Sequence, residues 1–265
     1  MSNRLIIIRG AGELGSAIAV TLYRTGFRVM LVELPGPLAI RRTVTFSDVM
    51  FTGSTSVEGI RAMKADPIDQ LQDISSDIIP IVNNSILDLS QMNRMPGWII
   101  DARMQKDLNT IDEFTVIPTI GLGPGFTVGQ NCLIAIETKR GHDLGRIIRE
   151  GSTSQNTGVP GEIGGESSHR VIYSTTEGIA EWDVEIGAIV NEKQTIGNIN
   201  NRPIISKIAG KVRGLISPRV NTPAGVKIAD IDPRGHEINH LLISDKANAI
   251  ARAVLEVVVT MERND

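Results

Sequence analysis

The sequence predicts an α/β protein: a Rossmann-like, mostly parallel sheet covered by helices, followed by a second, smaller all-β domain. Three observations carry that expectation. Arg4-Leu-Ile-Ile-Ile8 is an apolar run suited to a strand buried on both faces, and Gly10-Ala11-Gly12-Glu13-Leu14-Gly15 follows it at once. Aromatic residues make up only 3% of the chain while 41% is hydrophobic, so the interior must be built from Ile, Val, Leu, Met and Ala, as parallel sheets usually are. From Thr175 onward the pattern changes to short strands and turns recurring every eight to ten residues or so, the grammar of an all-β module.

Within the first half, Gly10 to Gly15 matches G-x-G-x-x-G. Gly10 permits the tight turn, Gly12 lets a pyrophosphate approach the backbone, and Gly15 lets helix and strand pack closely. Ser16 to Thr25 has helical spacing of Ile18, Ala19 and Leu22 and stops at Gly26; Phe27 to Val32 reads as a second strand ending in Glu33. A carboxylate there suits both ribose hydroxyls of a dinucleotide, which favours NAD over NADP, although a related nucleotide or a purely structural turn remains open. Arg41 and Arg42, after Pro35-Gly-Pro37, are candidates for a phosphate or for a solvated loop.

Val44 to Ala65 reads as a β-hairpin insertion around Gly59. Ile78 to Val82 and Trp98 to Asp101 continue the sheet, separated by a helical stretch carrying Ile86, Leu87, Leu89 and Met92. Asp101 and Arg103 then fall past a strand's C-terminal end, where open α/β sheets bind ligands; a local ion pair is the alternative. Gly121, Gly123 and Gly125, flanking Pro124, form a second glycine-rich turn able to cup an anion or simply to turn tightly. Glu137 to Arg146 packs six ionisable residues into ten, the density of a site or of a solvated turn.

The expected organisation is therefore a nucleotide-binding domain over 1–150, a glycine-rich connector or lid over 151–169, a β domain over 170–243 and a C-terminal helix over 244–265. Asn156 to Gly161 are the lid residues placed to fold over a ligand. Two imperfect copies of one pattern, Glu177 to Ile199 and Ala209 to Ile231, flank a hairpin at Asn200 to Pro203. This resembles the barrel-sandwich hybrid of lipoyl and biotinyl carrier domains. Their modified lysine sits at the hairpin tip, and Asn200-Asn201-Arg202-Pro203 supplies none, so neither lipoate nor biotin is expected and the module reads as a docking or capping unit.

Several function classes are disfavoured. Net charge is −3 and no basic cluster interleaves with aromatics, so nucleic acid is not an expected partner. No apolar run reaches the roughly 18 to 20 residues needed to cross a bilayer, and Leu5 to Ile8 is too short for a signal-peptide core, so a cytoplasmic location is expected. Cys132, the one cysteine, reads as a small buried hydrophobe. His236-Glu-Ile-Asn-His240 matches H-E-x-x-H, yet Asp232-Pro-Arg-Gly235 before it and strand-like Leu241 to Ser244 after it leave no helix to align the two histidines, and no metal is expected. Ser244 reads as the cap of the final helix.

Taken together, Arg9-Gly-Ala-Gly12, Glu33-Leu-Pro-Gly-Pro-Leu38 with Arg41-Arg42, Gly121 to Phe126, Glu137 with Arg140 to Arg146, Asn156 to Gly165, Asp232 to Gly235 and Ser244 to Lys246 closely resemble the selenium-dependent molybdenum hydroxylase system protein family, the YqeB group. The resemblance runs over nearly the whole chain. It implies an association with a molybdenum hydroxylase or its maturation machinery; joined to the glycine fingerprint, this gives the expectation of an accessory protein that binds NAD, a related nucleotide or a nucleotide-bearing molybdenum cofactor, and self-association stays open. It carries no established reaction and no catalytic residue. Two alternatives stand beside it: an NAD-dependent oxidoreductase with Asp101, Glu137 and His142 as acid–base candidates, and a nucleotide-sensing scaffold.

Overall fold

The computed structural model describes residues 4–65, 77–83, 95–104, 117–156, 158 and 161–263. It is a mixed α/β protein built on one sheet of nine strands. In chain order these are β1 (Leu5–Arg9), β2 (Arg28–Glu33), β3 (Ser54–Val57), β4 (Ile60–Lys64), β5 (Ile79–Asn83), β6 (Trp98–Asp101), β7 (Thr119–Leu122), β8 (Ile134–Ile136) and β9 (Ile147–Ile148). Their spatial order is β3-β4-β5-β2-β1-β6-β7-β8-β9. All neighbours from β4 to β8 run parallel, and only the edge strands β3 and β9 are antiparallel.

The stretch β5-β2-β1-β6-β7-β8 follows the 3-2-1-4-5-6 order of doubly wound nucleotide-binding sheets, so the direction of winding reverses between β1 and β6. The apolar runs explain why these strands lie at the centre. Ile6, Ile7 and Ile8 are all buried, with Ile6 and Ile8 packed in one core cluster and Ile7 with Met30, Val32 and Val82 in another. Only a strand covered on both faces can bury every residue this way.

Helix α1 (Glu13–Arg24) starts three residues before the expected Ser16, because the tight turn is complete at Gly12 and Glu13-Leu14-Gly15 already form the first helical turn. Gly15 has no alternative: a Cβ there would lie 1.8 Å from the Gly10 carbonyl oxygen. The 44–65 segment is less of an insertion than expected. After the short helix α2 (Val49–Thr52), β3 and β4 form a hairpin whose tip, Glu58-Gly59, takes positive φ at both residues, and β4 joins β5 in parallel. The hairpin thus widens the sheet. The helical stretch expected around Ile86 to Met92 lies outside the described residues.

Beyond β9 the chain builds two small antiparallel sheets from β10 (Val171–Tyr173), β11 (Ala180–Trp182), β12 (Ile189–Val190), β13 (Thr195–Ile199), β14 (Arg202–Ile205), β15 (Gly210–Leu215) and β16 (Lys227–Asp232). One sheet is β10-β16-β15-β12, the other β11-β13-β14. They share a core of Ile172, Ala180, Ile196, Ile199, Val212 and Ile231, separate from that of the large sheet. Asn200 and Asn201, both at positive φ, turn the β13–β14 hairpin.

Helix α3 (Asp245–Glu262) then returns to the first domain. Ser244 caps it by accepting from the Ala247 N–H, and Ile250, Ala251, Val254, Val257 and Val258 bury in the core that also holds α1. The chain therefore passes between the domains twice. A third tie is the loop after β2. The Leu215 N–H donates to the Ile40 carbonyl at 2.9 Å, Arg42 Nε donates to the Leu215 carbonyl at 2.9 Å, and the Ser47 N–H donates to the Ala11 carbonyl at 3.1 Å. Residues 40–47 are clamped between the glycine turn and β15.

Candidate functional site

Where the glycine turn, the loop after β2, the β7 and β8 loops, the connector and the inner face of the β domain converge, they enclose a cleft of about 900 Å³. Gly12, Glu13 and Arg41 line it from the first domain, with Pro124, Glu137, Arg140 and Lys246 beside them. Ser154 to Asn156 come from the connector, and Arg170, Arg213, Lys227 and Asp230 from the β domain. Seven cationic and four anionic side chains face this space, an excess of three positive charges in a protein whose net charge is −3. Positive charge has been gathered here against the overall balance, and a concave, low-dielectric wall focuses it.

The pairing within the cleft is incomplete. Arg170 is satisfied: it is buried, and its Nη1 binds Asp230 Oδ1 at 2.5 Å. Arg140 forks onto Asp245 at 2.7 and 3.0 Å. Arg41, 5% exposed, reaches Glu13 Oε1 at 3.3 Å and donates to the Leu242 carbonyl, while its buried Nε finds no hydrogen-bond partner among the described residues. Arg213, 6% exposed, lies 3.7 to 3.9 Å from Asp232, Asp230 and Glu13 and makes no hydrogen bond with any described residue. Lys227 and Lys246 have neither a hydrogen bond nor an ion pair at contact distance among the described residues.

These placements perturb protonation. Burial lowers the Lys227 ammonium, opposed only in part by Asp230. Burial also lowers Lys246, and the Arg140 guanidinium adds to the effect. Burial would raise the Glu13 carboxyl, but Arg41, Ser244 and Arg213 more than offset it and hold it below its ordinary value. Desolvated cations without counter-ions are costly, and native interiors rarely keep them unless something binds there.

The sequence-predicted residues divide. Gly12, Glu13 and Arg41 line the cleft; Gly10, Ala11, Leu14, Gly15, Gly121, Gly123 and Gly125 do not. A Cβ on Gly12 would meet nothing within 4 Å, so that position is open towards the cleft, whereas a Cβ on Gly121 would strike the Phe126 ring. Glu33 does not reach the cleft. Its Oε2 accepts the Ala11 N–H and its Oε1 the Leu34 N–H, both at 2.7 Å, so the carboxylate pins the glycine turn to the end of β2, and burial raises its pKa. Arg42 turns away, to Asp48 and the Leu215 carbonyl.

Asp101 sits where the winding reverses, but Arg103 closes on it from the backbone N–H, Nε and Nη2, and Arg9 stands 3.9 Å away. Glu137, also buried, accepts the N–H groups of Thr138, Lys139 and Ser154 at 2.7 Å; burial would raise its carboxyl, and these donors hold it below the ordinary range. It ties the connector to β8. His142 is exposed.

His236 and His240 share no helix face, because Gly235–Glu237 is a single 3-10 turn followed by extended backbone. No group of His, Cys, Asp or Glu among the described residues could hold a metal ion, and no described helix is long and apolar enough to cross a membrane. Cys132 is buried and its thiol is pushed up to about 11.

Arg170, Arg213 and Lys227 were not singled out by the sequence, and Lys246 stood out there only within the motif at the cap of the final helix. One signal was available: Lys211-Val-Arg213 and Lys227-Ile-Ala-Asp-Ile-Asp232 place charges inside strands otherwise made of Val, Ile and Ala. Burying so many charges is unfavourable unless they pair or serve a ligand.

No protein-family profile matches the chain, and no solved structure matches it. The chain is 38% identical over 261 residues to "Uncharacterized protein YqeB" of Escherichia coli (strain K12), an alignment covering 98% of this chain and 48% of that protein. The chain thus spans about half the length of the curated relative it matches. Extending over both domains and the cleft between them, this likeness supports placing the chain with the YqeB group.

Proposed function

We propose that this protein binds a phosphate-bearing ligand of nucleotide type in the interdomain cleft and acts as an accessory protein of a selenium-dependent molybdenum hydroxylase system. The carrying observation is the set of cationic groups that make no hydrogen bond among the described residues: Arg41 Nε, Arg213, whose carboxylate contacts are all 3.7 to 3.9 Å long, Lys227 and Lys246 around one cleft. Charge-assisted hydrogen bonds to phosphate oxygens would satisfy all four, and α1 begins at the same wall, adding the partial positive charge of a helix N-terminus. NAD, a related nucleotide and a nucleotide-bearing molybdenum cofactor all present such phosphates. The hydroxylase setting rests on the motif resemblance.

Support for a hydride-transfer enzyme is thinner. Of its acid–base candidates, Asp101 is held by arginines, Glu137 is spent on three backbone donors, and His142 is outside the cleft.

Thermal unfolding with NAD, NADP, ATP, CTP and molybdopterin nucleotides tests the reading. A ligand at a hundred times its dissociation constant should stabilise the chain by about 2.7 kcal/mol. Gly12→Val should abolish the shift while folding normally, because Gly12 has φ −67°, ordinary for any residue, and open space before it. Failure of every nucleotide to shift the transition would sink the proposal.

A further inference from the structure

The cationic groups of the cleft are arranged around one carboxylate. Glu13, at the first position of α1, is within electrostatic reach of Arg41, Arg213 and Lys227, and also of Arg140 and Lys246. Arg140 is already matched by Asp245, Asp230 by Arg170, and Asp232 by Arg234. Arg41, Arg213, Lys227 and Lys246 then share Glu13, with Arg213 also 3.7 and 3.8 Å from the already engaged Asp232 and Asp230, so the cleft keeps its excess of cations over anions. They come from different parts of the chain: the clamped loop, β15, β16 and the start of α3.

A single carboxylate or monoanionic group cannot balance such a surplus, and about 900 Å³ is far more room than one phosphate fills. The glycine turn is not the sole anchor either, since the Ala11 N–H is already given to Glu33.

We propose that the cleft recognises a pyrophosphate group, held jointly by Lys246 and Arg41 from the first domain and by Arg213 and Lys227 from the β domain, with Glu13 as the internal counter-anion in its absence. This rests on the reading of the cleft as a nucleotide-type site and makes it more specific. The β domain becomes half of the binding site and is more than a docking unit. Glu13 keeps part of the cation set paired in the free protein, and its negative charge opposes the ligand, so it favours groups with enough charge to outcompete it.

Isothermal titration calorimetry on the full chain, with orthophosphate, pyrophosphate, AMP and ADP as probes, tests this directly. Pyrophosphate should bind about tenfold or more tighter than orthophosphate, and ADP tighter than AMP by a similar factor, the gain expected from added charge-assisted hydrogen bonds. Lys227→Met, which keeps the aliphatic stem, should weaken pyrophosphate about tenfold, as should Lys246→Met; Glu13→Gln should strengthen it. Equal affinity for orthophosphate and pyrophosphate overturns the inference, and so does unchanged binding in Lys227→Met with unaltered circular dichroism. Weaker binding in Glu13→Gln removes Glu13 from its role. A nucleotide that binds without any preference for the diphosphate leaves the broader functional reading standing and defeats only this one; absence of all binding defeats both.

Discussion

Two clusters of charge lie near the C-terminal edge of the same sheet, and they are built on opposite principles. At the ends of β1 and β6, Asp101 is 1% exposed and fully engaged by Arg103, with Arg9 beside it. In the cleft, Glu13 faces Arg41, Arg213, Lys227 and Lys246, and three of those four make no hydrogen bond to a described residue. A closed cluster holds structure together; an open one keeps binding capacity in reserve at some cost to the free protein. The position of a charged residue at the switch point of a sheet therefore says less about function than whether its hydrogen-bonding capacity is already used.

The largest expected effect falls on the closed cluster. Asp101→Ala leaves two arginines facing a vacated buried site, and chemical denaturation should show a loss of about 3 kcal/mol, the usual result of breaking a buried pair. Nucleotides should shift the melting of that variant as they do the parent's. If Asp101→Ala instead destroyed ligand binding without loss of stability, the division between closed and open clusters would be wrong.

Next come the open-cluster lysines, where the sign reverses. Lys227→Met and Lys246→Met each remove a desolvated cation with no hydrogen bond or close ion pair among the described residues, so each should raise the stability of the free protein by about 1 kcal/mol while weakening anion binding. Loss of stability in both would show that these ammonium groups have partners that matter.

The same lysines set a pH dependence. Their folded-state pKa values are depressed by burial, so between those values and the ordinary lysine value the unfolded chain binds more protons than the folded one. Stability of the free protein should accordingly rise as pH increases through that alkaline window. Saturating pyrophosphate should flatten the slope by holding both groups protonated; urea denaturation at stepped pH with and without it measures the difference.

The smallest effect concerns Asp245, whose carboxyl is held at about 2, first by its hydrogen bonds from Arg140. A depressed carboxylate contributes stability above its ordinary value of 3.8 that disappears as pH falls towards about 2. Because the Asp245 side chain is 74% exposed, solvent screening keeps this below about 1 kcal/mol, and Asp245→Asn should reproduce it at neutral pH.

Legibility in the sequence followed the range of the interactions. The β1 run, the glycine turn, the final helix with its Ser244 cap and the switch to a β module were all readable, because strand burial, turn conformation and helix capping are fixed by residues a few positions apart. Glu33 was readable as a carboxylate at the end of β2, but its oxygens are occupied by Ala11 and Leu34, a contact set by how closely the loop folds back. Arg41 and Arg42 were seen as a pair, yet one lines the cleft and the other binds Leu215 across the domain boundary.

What the sequence by itself determined is the α/β class, the two patterns of secondary structure and the presence of a glycine turn opening a helix. The cleft was decided only by tertiary structure. Glu13 and Lys227 are more than two hundred residues apart, and Arg41 meets the Leu242 carbonyl across a similar interval. A charge on a strand carries no local mark of which carboxylate it will face or whether it will face one at all, because long-range pairing depends on how the two domains dock. Local periodicity reports burial; only the assembled chain shows which buried charges are left without a partner.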